Sequence, residues 1–247
     1  WNEVICIQGS CAAEDDMKLS LVIPCYNEAA NLPLLLERCK EVARQPSCEV
    51  ILVDNGSIDR SPAVLDELLP NYPGCRSIRV EVNQGYGFGI LAGLGAAKGD
   101  ILGWTHADMQ TDPQDALMGL ELFEHGPDIF VKGRRYGRPL ADVLFTAGMG
   151  VFETLLLAQP MWDINAQPVM FSRRFFETWD SPPHDFSLDL YAYYQARVRG
   201  LSVHRFPVRF GQRAHGVSHW NVNWAAKRKF IQRTVAFSLQ LKRNLPT

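Results

Sequence analysis

What this sequence lacks narrows it first. No uninterrupted apolar run reaches the ~18 residues that a membrane span needs, so no such span is expected. Residues 1–16 have neither a basic start nor a long apolar centre, which argues against a signal peptide. Met17 is a natural place for a chain to begin, and residues 1–17 read as a poorly ordered N-terminal extension. Cysteine is sparse and unsuitably spaced. Cys6, Cys11, Cys25, Cys39, Cys48 and Cys75 contain no C-x-x-C pair, and several sit in apolar runs. That pattern favours reduced thiols in a cytosolic protein over zinc or disulfides. Neither sign of charge dominates: 25 Lys and Arg against 27 Asp and Glu leave a formal net charge of −2. No whole-chain signal for nucleic acid follows, and none is expected as a partner. Internal repeats and low-complexity tracts are missing too.

What is present fits one large α/β domain over residues 18–221, in a chain of 247 residues that is 47% hydrophobic. Residues 18–24 (KLSLVIP) read as a buried strand. Asn31 then caps a helix with Leu32, Leu35, Leu36, Cys39 and Val42 at the required spacing. A second strand over 49–53 ends in Asp54, and Ser61 with Pro62 opens the next helix. A strand over 78–82, a glycine-rich helix over 85–98 and strands over 101–104 and 129–132 continue the alternation. Such alternation predicts a mostly parallel sheet with helices on both faces.

The second half is less regular. Residues 139–158 form a long apolar helix, expected to face the core, with a lipid-facing orientation as the alternative. A strand over 166–171, a helix over 187–199 and a strand over 202–208 follow. Residues 222–247 hold a closing helix that mixes Lys227, Arg228 and Arg233 with Trp224, Phe230 and Phe237. Such a helix can lie on an anionic membrane surface, although a solvated outer face is the commoner explanation for such charges.

The stretch 104–113 (WTHADMQTDP) organises the rest. It leaves a short apolar strand and enters a helix with Asp112 as N-cap and Pro113 in the first position. His106, Asp108 and Gln110 alternate, so on an extended segment they point the same way, at the strand edge where open α/β folds bind ligands. Imidazole, carboxylate and amide oxygen are suitable ligands for Mn²⁺ or Mg²⁺ carrying a diphosphate. For Asp108 alone, a strand end beside a helix cap explains the residue as well. Asp54 is placed to accept hydrogen bonds from a ribose or a base edge; a cap is again the alternative. The stretch 83–89 (NQGYGFG) lets backbone approach a ligand closely. Its G-x-G-x-x-A match at 87–92 is discounted, because it follows the third strand rather than the first.

In order and spacing, VIPCYNE (22–28), VDNGSID (53–59), NQGYG (83–87), HADMQTDP (106–113), KGRRYGRP (132–139), DINAQPVMFSR (163–173) and RAHGVSHW (213–220) resemble the family 2 glycosyltransferases with the GT-A fold. The nearer likeness is to the polyprenyl-phosphate branch, with its dolichyl-phosphate mannose synthases and undecaprenyl-phosphate glycosyltransferases. The resemblance implies inverting, metal-dependent transfer from a GDP- or UDP-sugar. It implies that Pro24, Tyr26, Glu28 and Asp54 hold the nucleoside, with Gly85 and Ala107 at its edge. Asp108 and Gln110 match metal positions of the D-A-D-x-Q motif, with His106 at its first acidic place. Arg213 matches the residue that binds the donor diphosphate. Lys132, Arg134 and Arg135 match the basic segment near the acceptor phosphate, where guanidinium forks suit phosphate oxygens. Should the acceptor be a hydroxyl, Asp189 is the candidate base, with Asp185 second; a salt bridge or cap explains Asp189 equally well.

Two departures stand out. His106 replaces a carboxylate, and 163–169 lacks the usual Gly-Phe-Arg. The branch's transmembrane hairpins are not seen either. The resemblance implies a polyprenyl phosphate as the acceptor; these departures leave a saccharide or other hydroxyl, or a catalytically inactive nucleotide-sugar-binding module, as alternatives. The expected place of action is the cytoplasm, or peripherally on the inner face of a membrane.

Overall fold

A computed structural model describes residues 18–214 and 224–243. The extension 1–17 and most of RAHGVSHW lie outside the described residues. Strands β1 (Leu19–Cys25), β2 (Cys48–Asn55), β3 (Cys75–Val80) and β4 (Ile101–Trp104) are linked by helices α1 (Leu32–Ala43), α2 (Ser61–Leu68) and α3 (Tyr86–Ala96). Every residue of β2 and β4 is buried, because helices cover both faces; such strands read as continuous apolar runs rather than as alternation. Successive residues serve opposite faces: Val22, Ile51 and Val53 join one core, Leu21, Ile23 and Leu52 the other. α1 buries the predicted stripe Leu32, Leu35, Leu36, Cys39 and Val42. Gly93 lets α3 lie directly on β1, since a Cβ there would collide with Val22 Cγ1.

The chain continues through α4 (Asp115–Glu121), β5 (Ile129–Tyr136), α5 (Leu140–Leu157), β6 (Val169–Ser172), α6 (Arg173–Phe176), α7 (Leu188–Val198), β7 (Ser202–Arg209) and α8 (Trp224–Arg243). All strands share one seven-stranded sheet of order β3-β2-β1-β4-β6-β5-β7. β1 pairs parallel with β2 and β4, so their carboxyl ends open on one edge. The sheet is mostly parallel, as the alternation predicts, with one reversal: β6 is antiparallel to both β4 and β5. Sequence pattern cannot reveal that, since all four residues of VMFS are buried. β5 runs beyond the predicted end, which puts Arg134 and Arg135 on the strand itself.

α5 departs from its expected place in the core. Only Gly150, Glu153 and Leu157 are buried. Its 18 residues have a mean hydropathy of 1.6 with 17% buried, so by length and composition it could cross a membrane. An apolar composition does not say what will cover a helix. Here α8 lies against it, and Ser238 Oγ donates to Glu153 Oε1 at 2.8 Å.

Candidate active site

The loops leaving β1 and β2 hold each other through side chains. Asn27, at φ +56°, gives its N–H to Ser57 Oγ at 3.0 Å and takes the Ile58 N–H on its own Oδ1 at 3.0 Å. The Glu28 N–H donates to Ser61 Oγ at 2.9 Å. Asn31 does not cap α1 through its side chain; its amide is drawn to Glu28 Oε2 instead. Pro24 is half-buried and Tyr26 exposed, at the rim. Asp54 lies just inside, 2% exposed. Its Oδ1 accepts the Ser57 N–H at 3.0 Å, while Oδ2 has no hydrogen-bond partner. Arg79 Nε stands 3.7 Å from it, too far for a hydrogen bond. A buried acceptor without a donor is costly, so Asp54 Oδ2 is a prepared place for a ligand hydroxyl or N–H. Next to it Asn55 Nδ2 donates to Gly85 O at 2.9 Å. Gly85 sits at φ +116°, where a side chain would strike His184 O.

The central motif is a turn rather than an extended segment. β4 stops at Trp104, Met109 adopts φ +62°, and Asp108 Oδ1 accepts the Gln110 N–H at 3.0 Å, an Asx turn. Simple alternation therefore does not govern where His106, Asp108 and Gln110 point. Asp108 Oδ2 lies 2.9 Å from Arg213 Nη2. Gln110 is laced to the same segment, its O accepting from Gly211 N at 2.7 Å and its Nε2 donating to Gly211 O at 3.3 Å. His106 lies against the Tyr86 ring, centroids 5.6 Å apart. Ala107 packs into the core beside α1, so only its backbone can serve a nucleotide. Asp112 is not the N-cap of α4, which starts at Asp115 after Gln114; its Oδ1 accepts the Gln114 N–H at 3.0 Å in the turn before the helix. Burial raises the Glu28 pKa; Asn31 opposes this, Asp108 adds to it and Arg213 again opposes, which puts Glu28 in the same field as that ion pair. Among the described residues no three His, Cys, Asp or Glu side chains cluster as a metal site. A divalent ion there would draw on Asp108, the Gln110 amide oxygen, the His106 imidazole and oxygens of its own ligand.

Two of the basic residues matched to an acceptor phosphate do something else. Lys132 is wholly buried. Its Nζ has no hydrogen-bond partner and sits over the rings of Phe130 and Tyr193, 5.8 and 5.5 Å from their centroids. Burial brings its pKa down to about 7, with Asp189 pulling the other way. It is an interior cation, because its strand position points between β5 and α7 rather than out. Arg135 is committed to Asp163, its Nε donating to Oδ1 at 3.0 Å, and stacks on Phe210 at 5.2 Å. Burial opposes ionisation of Asp163, but Arg135 and Arg138 hold its carboxyl below the usual range. Arg134 is the exposed member. Asp189 is buried in the first turn of α7 and accepts Trp104 Nε1 at 3.2 Å. Burial raises its pKa while Lys132 and His106 lower it. Asp185 Oδ1 takes the Ser187 N–H at 2.9 Å, as a cap does.

Residues 20–184 match the profile of glycosyl transferase family 2. The chain belongs to this family. A curated relative from Photorhabdus laumondii, named undecaprenyl-phosphate 4-deoxy-4-formamido-L-arabinose transferase, is 38% identical over 53% of this chain and 41% of its own length. A protein of the same name from Pectobacterium carotovorum is 40% identical over 47% of this chain and 36% of its own. The chain thus spans well under half the length of the curated relatives it matches. Among solved structures, glucosyl-3-phosphoglycerate synthase from Mycobacterium tuberculosis, in complex with Mn²⁺, UDP and glucosyl-3-phosphoglycerate, superposes with a TM-score of 0.70 at 19% identity, over 94% of this chain and 81% of that one. A mannosyltransferase from Pyrobaculum calidifontis, in complex with GDP-mannose and Mn²⁺, gives 0.68 at 19% identity, over 93% and 65%. The fold is GT-A.

The motifs shared with the family do not mark a polar group that lies beneath the central motif. Gln167 Nε2 donates to Tyr86 Oη at 2.5 Å, and Phe186 stacks on Tyr86 at 4.6 Å. Tyr86 and Trp104 carry no motif signal beyond their place in NQGYG and at the end of β4. Gln167 carries one: it stands within the very segment that departs from the family, where a polar residue precedes a buried strand.

Proposed function

We propose that this glycosyltransferase moves a sugar from a nucleoside diphosphate to a polyprenyl phosphate, at the cytoplasmic surface of a membrane. The observation that carries the donor half is the pairing of Asp108 with Arg213 on the strand edge that also holds Asp54 Oδ2 without a donor. One end of that edge suits the nucleoside, with Glu28 and Tyr26 beside Asp54, and the other suits a diphosphate. The names of the curated relatives support the acceptor half. With Lys132 buried and Arg135 paired to Asp163, Arg134 is the residue left to meet the acceptor phosphate.

A phosphate oxygen is already anionic near neutrality. It attacks the anomeric carbon from the face opposite the diphosphate, the bond to that diphosphate breaks, and the configuration inverts; no proton has to be removed. Arg213 neutralises the charge that grows on the leaving diphosphate. A divalent cation held by Asp108, Gln110 and His106 would supply further charge neutralisation there. The neighbours solved in complex with Mn²⁺ support the use of a divalent cation. A hydroxyl acceptor is the second reading, favoured by one observation: Asp189, buried near His106 with a raised pKa, could take the proton.

The test is a thermal-shift panel of UDP- and GDP-sugars, each with and without Mn²⁺, because a ligand that binds only the folded state raises its stability. The reading expects one nucleotide series to raise the midpoint in a metal-dependent way. A panel in which no nucleotide sugar moves it would sink the donor assignment.

A further inference from the structure

α5 carries a surface that the transfer chemistry does not use. Leu140, Leu144 and Leu155 are exposed by 72%, 63% and 78%, and Val151 and Phe152 are exposed beside them. Ala141, Ala147 and Gly148 fill the gaps. At about 100° per residue these positions form one continuous strip, about 27 Å long for 18 residues, and no polar side chain interrupts it. The polar groups of α5 lie elsewhere. Glu153 is buried against α8, and Thr146 and Thr154 turn their hydroxyls back to Asp142 O and Gly150 O, each at 2.6 Å. The helix is thus amphipathic in the reverse sense, with polar groups inward and hydrocarbon outward. Exposed apolar surface of this extent marks a place where something docks.

We propose that the outward face of α5 lies in the headgroup–acyl boundary of an anionic lipid bilayer. Lying in the surface, rather than crossing, follows from topology. α5 sits in sequence between β5 and β6, whose residues Lys132 and Val169 are paired in the sheet. Both ends of the helix therefore stay on one side. Charge decides between a bilayer and a second copy of the chain. α8, packed on α5, exposes Arg228, Arg233, Lys242 and Arg243 and contains no acidic residue. A symmetric contact with another copy would set these charges against each other, whereas anionic headgroups attract them. The inference deepens the lipid-phosphate reading and rests on it only for its purpose: it brings Arg134, a few residues before α5, to the level of the membrane.

The test needs neither donor nor acceptor. The whole chain is sedimented with phosphatidylglycerol–phosphatidylcholine vesicles and with phosphatidylcholine alone. Wild type should bind the anionic vesicles more strongly and release as salt rises. The double variant Leu144→Glu, Leu155→Glu should lose binding by at least about tenfold at an unchanged thermal midpoint. The milder Leu144→Ser, Leu155→Ser pair, which adds no charge, should fall between. Binding unaltered in both pairs would overturn the proposal. So would a wild type that self-associates through this face while its vesicle binding ignores the substitutions. Vesicle binding by a chain that fails to transfer sugar would sink the acceptor reading and still support this docking face.

Discussion

Lys132→Met tests whether the buried cation burdens the fold. A lysine that titrates at about 7 in the native state, against an ordinary 10.5, costs on the order of 5 kcal/mol once both states carry the proton, about 3.5 pH units at 1.36 kcal/mol each. The sign follows from proton counts. Between pH 7 and 10.5 the unfolded chain holds a proton that the native state has released, so stability rises with pH across that window. Below pH 7 the cost is present in full. Removing one partner of a well-bonded buried ion pair usually destabilises, but Lys132 Nζ makes no hydrogen bond, and Asp189 can take up a proton when the ammonium leaves. Methionine fills a similar volume, and replacing a buried ion by a hydrophobe returns ~1–4 kcal/mol in comparable cases. Urea unfolding should therefore show Lys132→Met more stable than wild type at pH 6 by about 2 kcal/mol or more. The gain should shrink at pH 9, where wild type has shed most of its cost. A variant less stable at pH 6, or a gain that does not shrink with pH, would refute the reasoning.

Other sites give independent outcomes. Asp54→Ala should weaken nucleotide binding by ~1–3 kcal/mol in calorimetry, the worth of a hydrogen bond to a charged acceptor; unchanged affinity would remove Asp54 from the donor site. His106→Asp adds a hard oxygen ligand beside Asp108, so donor turnover should survive and its metal preference move from Mn²⁺ towards Mg²⁺; an unmoved preference would take His106 out of the metal shell. Gly93→Ala would push α3 off β1 through Val22 and Val53 and should cost ~1–3 kcal/mol in thermal unfolding, against no loss if α3 can simply shift.

Much of the fold is legible because its signals are local. Apolar runs of strand length, alternating with the stripe of α1, point to a parallel sheet, and VIPCYNE, VDNGSID and HADMQTDP mark the sheet edge proposed to hold the donor. What stays hidden depends on tertiary placement. Lys132 and Arg134 look alike in KGRRYGRP and share one face of β5, yet the rings of Phe130 and Tyr193 cover the first while the second, further along the strand, is exposed. Arg135 reads as a phosphate ligand until Asp163, distant in sequence, takes its fork. The turn at Asp108 and Met109 cannot be told from an extended run by residue type. α5 reads as core because hydropathy records what a helix is made of and not which neighbour covers it. Gln167 and Tyr86 meet across residues far apart in the chain, so no spacing rule pairs them.

The central claim is that the strand edge around Asp108 holds the donor diphosphate for transfer to a lipid phosphate. The most direct measurement follows labelled sugar from a nucleoside diphosphate into organic-extractable polyprenyl phosphate, for wild type and Asp108→Asn, with and without a chelator. Asparagine keeps the shape and removes the carboxylate charge of the motif. The account predicts transfer by wild type, its loss with chelator, and a fall of about 100-fold or more in Asp108→Asn, equivalent to ~2.7 kcal/mol in the barrier. Normal transfer by Asp108→Asn, or wild-type transfer indifferent to the chelator, would contradict it.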